Sequence, residues 1–476
     1  MVNFIYEMGR VPAKDPRLAL SYRSISILPT MSKVWENRFK SAIEKELGMD
    51  LFHRNQFGFR KGKSTIDAIS QVCKFADSCR KKGIVCVIMC IDVKSAFNSL
   101  RWEVILEEAK RRSLPSNLTR VLANYLKDRF VVLDNPSGLI VKQIFAGVPQ
   151  GSVVGPLLWN PIYDDLLARF DNRVNLRAIA FADDLAILVG LRKKENVEVN
   201  LNLHMKTILN WCENSGLQIA KEKTEIILLT RMTVRRNFNI TPTVEVLNTR
   251  ETVKYLGMVL DSARKYRDHI EAVCNKADAI VGAIRGLLSN VNGSSDACRK
   301  LYYRVWESVV LYASPAWVDP FSKTKTGELY RAQKSAMIST STAYRTVSHT
   351  ALCMLTGTMP IHIRARWRGK IYETRKKFFA RPDLGDPVVL LNQLNLYEGE
   401  AVDEWRSEWT NNWTKRLIGD AATFKKRKKI IDHYTIQLLT GHGIFNTYRV
   451  RTNKETVDKC WDCDACPDDA EHALLR

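Results

Sequence analysis

The chain has 476 residues, 73 of them Lys or Arg against 51 Asp or Glu, giving a formal net charge of +22 and a pI near 9.5. Hydrophobic residues make up 45% and charged residues 26%, which excludes a disordered chain and suits a folded protein of roughly two to four domains. The longest uninterrupted apolar run, Ile84 to Ile91, is too short to span a bilayer, the first residues lack a secretory-signal pattern, and so strong a positive balance points to a polyanionic partner, nucleic acid before an anionic membrane. An intracellular protein is expected.

Residues 1 to about 260 mix short β-like runs with helical stretches. GIVCVIMCIDV reads as a buried strand that delivers Asp92 at its end, with Phe97 about one helical turn later. SLRWEVILEEAKRR has helical periodicity, and VVLDN and LIVKQIFAGV read as strands. Next comes FAGVPQGSVVGPLLWNPIYDDLL, where Gly147, Gly151 and Gly155 precede a helical run. Glycines there permit close backbone approach to a ligand, and the Gln150 amide can hydrogen-bond a base or sugar. AIAFADDLAILVG sets Asp183 and Asp184 between two apolar runs of strand length, the pattern of a tight hairpin tipped by two acids. NVEVNLNLHMKTILNWCENSG predicts a helix ending near Gly216, and TEIILLT and VKYLGMVLD read as strands. This half is expected to be α+β.

From about residue 262 strand signals fade. HIEAVCNKADAIVGAIRGLLSNV places Ile270, Val273, Ala277, Ile280, Ile284 and Leu287 on one face of an amphipathic helix, and ACRKLYYRVWESVVLYASPAW and Thr326 to Thr356 also read as helical. Trp405, Trp409 and Trp413 recur every four residues, which predicts one helix face, a packed stripe in preference to a base-stacking platform. The basic run Lys425 to Lys429 suits a solvated face, phosphate contact or a nuclear address. There is no internal repeat. Of eleven cysteines, eight are scattered singly and three cluster at Cys460, Cys463 and Cys466, a distribution that fits a reducing compartment with one metal site and excludes a disulfide framework.

Two adjacent carboxylates about 4 Å apart repel by roughly 4 kcal/mol at an effective dielectric near 20, a large fraction of a stability of about 5–15 kcal/mol. A strand ending in Asp92 beside a hairpin tipped by Asp183 and Asp184 would bring three carboxylates to one spot of an antiparallel sheet. That arrangement suits hard divalent cations, which take oxygen ligands and, in pairs, clamp the attacking and leaving oxygens of a phosphoryl transfer.

The ordered blocks QFGFRKGKSTIDAI (56–69), MCIDVKSAFNSL (89–100), GVPQGSVVGPLLWN (147–160), AFADDLAIL (180–188), GLQIAKEKTEIILL (216–229) and VKYLGMVLD (253–261) resemble the successive reverse transcriptase motifs of non-LTR (LINE-type) retrotransposons. The likeness is greatest to arthropod Jockey-like and ribosomal-gene-inserting elements, and QLLTGHGIFNTYRVR (437–451) extends it toward the C-terminus. The resemblance implies an α+β right-hand polymerase. Fingers and palm with an antiparallel sheet would fill 1–261, a helical thumb 262–345, a helical, basic, Trp-rich region 346–455, and a zinc-knuckle-like segment 456–476. It implies RNA-directed DNA polymerisation from a primer 3′-hydroxyl with two Mg²⁺ ions, taking an RNA template, a DNA primer or target and dNTPs, and no membrane. The implied catalytic and Mg²⁺-binding acids are Asp92, Asp183 and Asp184; Phe97 is the gate against a ribose 2′-hydroxyl, and Gln150 and Gly151 form the nucleotide-positioning turn. Lys223 would lie near the incoming triphosphate and Arg23 would grip phosphates, although Ser24 stands where the family usually has proline, and Lys14 is the candidate for a fingers lysine. Arg60, Lys61 and Lys63 are expected to touch the template; GFRKGKS, one residue short of a P-loop between its glycines, is not expected to bind a nucleoside triphosphate. Nuclear work with a cytoplasmic ribonucleoprotein stage is the implied location.

Cys460, Cys463 and His472 resemble the first three ligands of the family's C-terminal zinc-knuckle-like motif. Its fourth cysteine would fall just beyond Arg476, leaving an incomplete Zn²⁺ site to which Cys466 could be recruited with altered geometry. With no apurinic-type endonuclease ahead of the motifs and the knuckle one residue short, the chain reads as a truncated copy. The competing expectation is therefore a catalytically inactive nucleic-acid-binding relic, held to nucleic acid by its charge alone.

Overall fold

The computed structural model describes residues 4–10, 15, 17, 22–48, 52–135, 138–171, 173–229, 237–238, 247–284, 295–318, 326–380, 386–409, 413–420 and 432–475. The chain divides into two compact units, Met1–Lys265 and Tyr266–Arg476. The first begins with β1 (Phe4–Arg10), β2 (Tyr22–Ile27), α1 (Thr30–Leu47), α2 (Thr65–Lys81), β3 (Val85–Ile91) and β4 (Val93–Lys94). It continues through α3 (Ala96–Ser99), α4 (Trp102–Arg111), α5 (Ser116–Leu126), β5 (Arg129–Asn135), β6 (Gly138–Ile144), α6 (Gly155–Ala168), β7 (Leu176–Phe181) and β8 (Asp184–Leu191). It closes with α7 (Lys194–Ser215), β9 (Gln218–Ile219), β10 (Glu225–Leu228), β11 (Asn237–Phe238), β12 (Leu247–Asn248), β13 (Thr252–Tyr255) and β14 (Met258–Asp261).

The central sheet runs β10-β3-β8-β7 with every neighbouring pair antiparallel. Its inner strands are apolar along almost their whole length because both faces are covered. Val85, Val87, Met89 and Ile91 of β3 join a core with α6 and α7, while Gly190, paired with Cys86 across the sheet, faces α2 so closely that a Cβ would lie 2.6 Å from Cys79 Sγ. Full burial of residues such as Ile88 and Met89 stabilises by about 1.5–3 kcal/mol each, enough to hold a rigid platform whose rim is acidic. A second sheet, β2-β1-β5-β6, lies earlier in the order. α2 starts with a reciprocal cap, Asp67 N donating to Ser64 Oγ (3.3 Å) and Ser64 N to Asp67 Oδ2 (2.9 Å), so the P-loop look-alike ends in a helix cap.

Most predicted strand and helix positions recur. VKYLGMVLD is a hairpin, β13 and β14, because Leu256 and Gly257 both take positive φ (47° and 82°) and reverse the chain. α7 ends as expected at Gly216, which is left-handed at φ 75°.

The second unit is helical among the described residues: α8 (Arg267–Ile284), α9 (Asp296–Val310), α10 (Ser314–Trp317), α11 (Thr326–Ser341), α12 (His349–Thr356), α13 (Ile361–Phe379), α14 (Pro387–Ser407) and α15 (Trp413–Ile418), then short helices at His433–Thr440, Asn446–Arg451 and Ala470–Leu475. On α8, Ile270, Val273 and Ala277 are buried as the periodicity predicts, and Val281 replaces Ile280 in continuing the face; Leu287 lies outside the described residues. The tryptophan spacing does not mark one helix face. α14 stops at Ser407, where Ser407 Oγ donates to Glu404 O (2.7 Å), and the Glu408 carboxylate accepts from His362 Nε2 (2.8 Å). Trp409 therefore follows the helix, edge-on to buried Trp405, and Trp413 opens α15. Packing is nonetheless their role, since Trp413 lies against the cluster of Phe445, Tyr448 and Ala470. Among the described residues no helix is long and apolar enough to cross a membrane. Lys14 and Lys425 to Lys429 lie outside the described residues.

Candidate active site and metal centre

Strand register assembles the acids. β3 and β8 pair antiparallel as far as Ile91 opposite Leu185, so Asp92, the residue after β3, and Asp184, the first residue of β8, both follow that last pair, near enough for the Asp92 charge to act on Asp184. β7 and β8 pair Phe181 with Asp184, leaving Ala182 and Asp183 as a two-residue connection. Lys223, from the turn before β10, donates from Nζ to Asp92 Oδ2 at 2.6 Å. Asp92 O in turn accepts from Ala220 N (2.8 Å), fixing that turn beside the strand end.

The electrostatics follow from this crowding. Asp184 keeps a solvent-exposed face, yet its pKa is pushed up to about 6, first by lost solvation and then by the carboxylates of Asp183 and Asp92, with Lys223 pulling it back. Two carboxylates that raise the proton affinity of a third, with the Lys223 ammonium pulling the other way, are oxygen donors of the kind a hard divalent cation takes. The chemistry of Asp92, Asp183 and Asp184, all carboxylate oxygens, is of the class that Mg²⁺ takes.

The turn that carries Asp183 is gripped from below. Ala182 sits at φ 58°, a left-handed conformation that costs a residue with a Cβ about 1–2 kcal/mol. Gln56 Oε1 accepts from Ala182 N (3.1 Å) and from Gly58 N (2.9 Å), and Gln56 Nε2 donates to Ala182 O (3.2 Å). Trp159 Nε1 donates to the same carbonyl (3.1 Å), and Tyr163 OH donates to Asp183 O (3.1 Å). Burial, then the nearby Asp183 charge, pushes the Tyr163 pKa well up, so the phenol keeps its proton. Gly58 is required: a Cβ there would stand 2.1 Å from Ala182 N. Nothing in the sequence alone marks Gln56, Trp159 or Tyr163 as supports of the site; an amide or indole amid apolar residues signals a partner without naming it.

Phe97 is half-buried, stacked on Trp159 (5.4 Å between centroids) and edge-on to Phe59 (5.8 Å). The glycine turn is tied to it. Val148 N donates to Phe97 O (2.7 Å) and Gly147 N to Leu100 O (2.7 Å), while Gly147, at φ 89°, approaches Asn98 too closely for any Cβ. At the other side Ser26 N donates to Gln150 O (2.9 Å). Buried Glu36, also unremarked in the sequence, accepts from Val153 N (2.6 Å) and Tyr125 OH (2.6 Å). Gln150 is half-buried and Gly151 exposed, at φ 108°.

The remaining basic candidates are less uniform. Lys61 and Lys63 are exposed, with Lys63 Nζ over the Phe57 ring at 5.4 Å. Arg60 Nη1 is turned back onto the carbonyls of His53 (2.7 Å) and Gln56 (3.1 Å). The Arg23 backbone pairs with Gly9, and its side chain lies outside what is described.

In the second unit Cys460, Cys463 and His472 bring their ligand atoms within 4.8 Å of one another, with Cys463 Sγ 3.2 Å from His472 Nε2. Among the described residues this is the one group of three metal-ligating side chains so tightly drawn. Thiolate and imidazole donors suit Zn²⁺. Cys466 is not drawn into the group: its thiol donates to Asp458 Oδ1 at 2.9 Å. Buried Asn446 braces the loop, its N accepted by Asp468 Oδ2 (2.9 Å) and its Nδ2 by Lys459 O (2.7 Å).

Residues 11–260 match the family model described as reverse transcriptase (RNA-dependent DNA polymerase). The chain is 26% identical over 455 residues to a 115 kDa protein in the type-1 retrotransposable element R1DM of Drosophila melanogaster, covering 92% of this chain and 43% of that protein. It is 25% identical over 474 residues to the retrovirus-related Pol polyprotein from type-1 retrotransposable element R1 of Bradysia coprophila, covering 95% and 46%. The RNA-directed DNA polymerase from mobile element jockey of Drosophila melanogaster is 27% identical over 313 residues, covering 64% and 33%. The chain thus spans less than half the length of these relatives. Among solved structures, apo telomerase from Candida tropicalis aligns with a TM-score of 0.41 at 10% identity, covering 83% of this chain and 68% of that one.

Proposed function

The chain belongs to the reverse transcriptase (RNA-dependent DNA polymerase) family, matched over residues 11–260 and similar in sequence to non-LTR retrotransposon proteins, and from that premise we propose that it extends a primer 3′-hydroxyl on an RNA template. The observation that carries the reading is the register that ends with Ile91 opposite Leu185, bringing Asp92 and Asp184 off its end beside a hairpin tipped by Asp183. On this reading residues 1–261 are fingers and palm, 262–345 the thumb, 346–455 a basic helical extension and 456–476 a zinc-knuckle-like segment.

Asp92, Asp183 and Asp184 would hold two Mg²⁺ ions, which when bound supply activation of the primer hydroxyl and neutralisation of the triphosphate. The chain's own residues do the rest by positioning and charge. Phe97, braced between Trp159 and Phe59, presents a ring edge to the sugar and disfavours a 2′-hydroxyl. The Gln150–Gly151 turn, fixed by Ser26 and Glu36, offers its amide to the nucleotide or template. Lys223 leaves Asp92 for the incoming triphosphate, while Arg23 reaches phosphates and Lys61 and Lys63 the template. The Cys460, Cys463 and His472 group takes Zn²⁺, and the nucleus, after a cytoplasmic ribonucleoprotein stage, is the place of action.

The test is Mg²⁺-dependent incorporation of deoxynucleotides on a primed RNA by residues 1–476. Template-directed extension is expected. Binding of the primed RNA without extension would favour the second reading, a nucleic-acid binder without polymerase activity, which rests on the net charge of +22.

A further inference from the structure

We infer that Gln56 is a positioning residue of the polymerase site: its side-chain amide sets the Ala182–Asp183 turn and, through it, the carboxylates that take the metal. The inference rests on the polymerase reading for what the carboxylates do, and on the following geometry for what Gln56 does.

Ala182 and Asp183 connect two strands, so the peptide groups of Ala182 have no neighbouring strand to pair with. Ala182 is also buried, at 7% exposure. A buried donor or acceptor left unpaired costs about 1–3 kcal/mol, and the left-handed φ of Ala182 adds strain that nothing in its own side chain offsets. Gln56, fully buried, answers both peptide groups with one amide, its Oε1 accepting from Ala182 N and its Nε2 donating to Ala182 O. The second bond to Oε1, from Gly58 N, fixes which way the amide faces, because the oxygen is the end that two N–H groups address. The backbone of the turn is thus held at both peptide groups of Ala182, the residue before Asp183.

Docking of the segment does not depend on that amide. Phe57 N donates to Ala180 O (2.8 Å) and Ala180 N to Asn55 O (2.9 Å), backbone bonds that any residue at position 56 would keep. Trp159 also still reaches Ala182 O. Loss of the amide therefore loosens the tip selectively, the role of a group behind a metal ligand, whose removal typically costs about 10–100-fold in metal affinity.

The experiment uses the full chain as wild type, Gln56→Met (volume kept, amide lost), Gln56→Ala and Asp183→Asn. Mn²⁺ binding is read by electron paramagnetic resonance without nucleic acid, beside primed-RNA binding and the Mg²⁺ concentration giving half-maximal extension. Asp183→Asn should remove the Mn²⁺ site; if it does not, the metal reading of the aspartates fails, and the inference falls with it. Given that control, both Gln56 variants should bind Mn²⁺ about 10–100-fold more weakly and need correspondingly more Mg²⁺, with primed-RNA binding within about twofold of wild type. Wild-type Mn²⁺ affinity in either variant would overturn the inference. So would a parallel loss of primed-RNA and Mn²⁺ binding, because a residue that merely holds the fold lowers both together.

Discussion

Asp92 and Asp183 lie about ninety residues apart in sequence and meet through strand register, whereas Cys460, Cys463 and His472 fall within thirteen consecutive residues and meet through one loop and a short helix. The first set is three hard oxygen donors at the end of a buried sheet, where the charges of Asp92 and Asp183 raise the proton affinity of Asp184. The second is a tight soft-donor group on a surface segment with a small core of its own, Phe445, Tyr448 and Ala470. A site whose ligands stand on a rigid platform can afford mutual repulsion, because the strands cannot move apart. A site built from a loop has no such support, and its geometry depends on local braces such as Asn446.

That contrast predicts where damage spreads. Gly58→Ala should be the most harmful substitution away from the acids, costing about 3 kcal/mol or more in denaturant unfolding of the first unit, because a Cβ at 2.1 Å from Ala182 N forces backbone to shift. Gly62→Ala, at φ 75° with open space around it, should cost only about 1 kcal/mol. Equal costs would mean that the turn is not packed against Gly58 as described.

The cysteine group should respond locally. Cys463→Ser should weaken Zn²⁺ binding by about a hundredfold or more in a chelator competition, since a thiolate ligand is lost, while Cys466→Ser, whose thiol is engaged with Asp458, should change it by less than about twofold. Comparable losses at the two positions would show that Cys466 joins the metal set and would erase the distinction between them.

The smallest expected effect is electrostatic. Asp184 has a pKa of about 6 in the folded protein against 3.8 ordinarily, so the folded state binds its proton more tightly than the unfolded state does. The resulting penalty is fully present above about pH 6, fades as pH falls through the window between the two values, and is gone below it. Asp184→Asn should accordingly raise the stability of the metal-free protein at pH 7, by less than about 1 kcal/mol given the residue's exposed face, and leave it unchanged near pH 4. A gain that persists at low pH would trace to packing instead of charge.

The acids themselves were legible because an apolar strand ending in Asp and an apolar hairpin tipped by Asp-Asp violate the usual sorting of charge from core. α7 was legible from its periodicity and its terminal glycine. The supports of the site were not. Gln56 and Glu36 act on residues more than a hundred positions away, and nothing in their neighbours announces which backbone groups they will meet. VKYLGMVLD misled because an apolar run hides a two-residue reversal unless Leu-Gly is recognised as able to take positive φ. The tryptophans misled because a spacing of four carries no information about where a helix stops, and α14 stops between them.

The most direct measurement places wild type and Asp183→Asn side by side, assaying Mg²⁺-dependent extension and primed-RNA affinity in the same preparations. The account predicts that the variant loses extension by about three orders of magnitude or more, the scale on which charge stabilisation acts in phosphoryl transfer, while affinity stays within about twofold. Extension surviving in Asp183→Asn, or affinity falling with it, would contradict the assignment of the hairpin tip as the metal-binding centre.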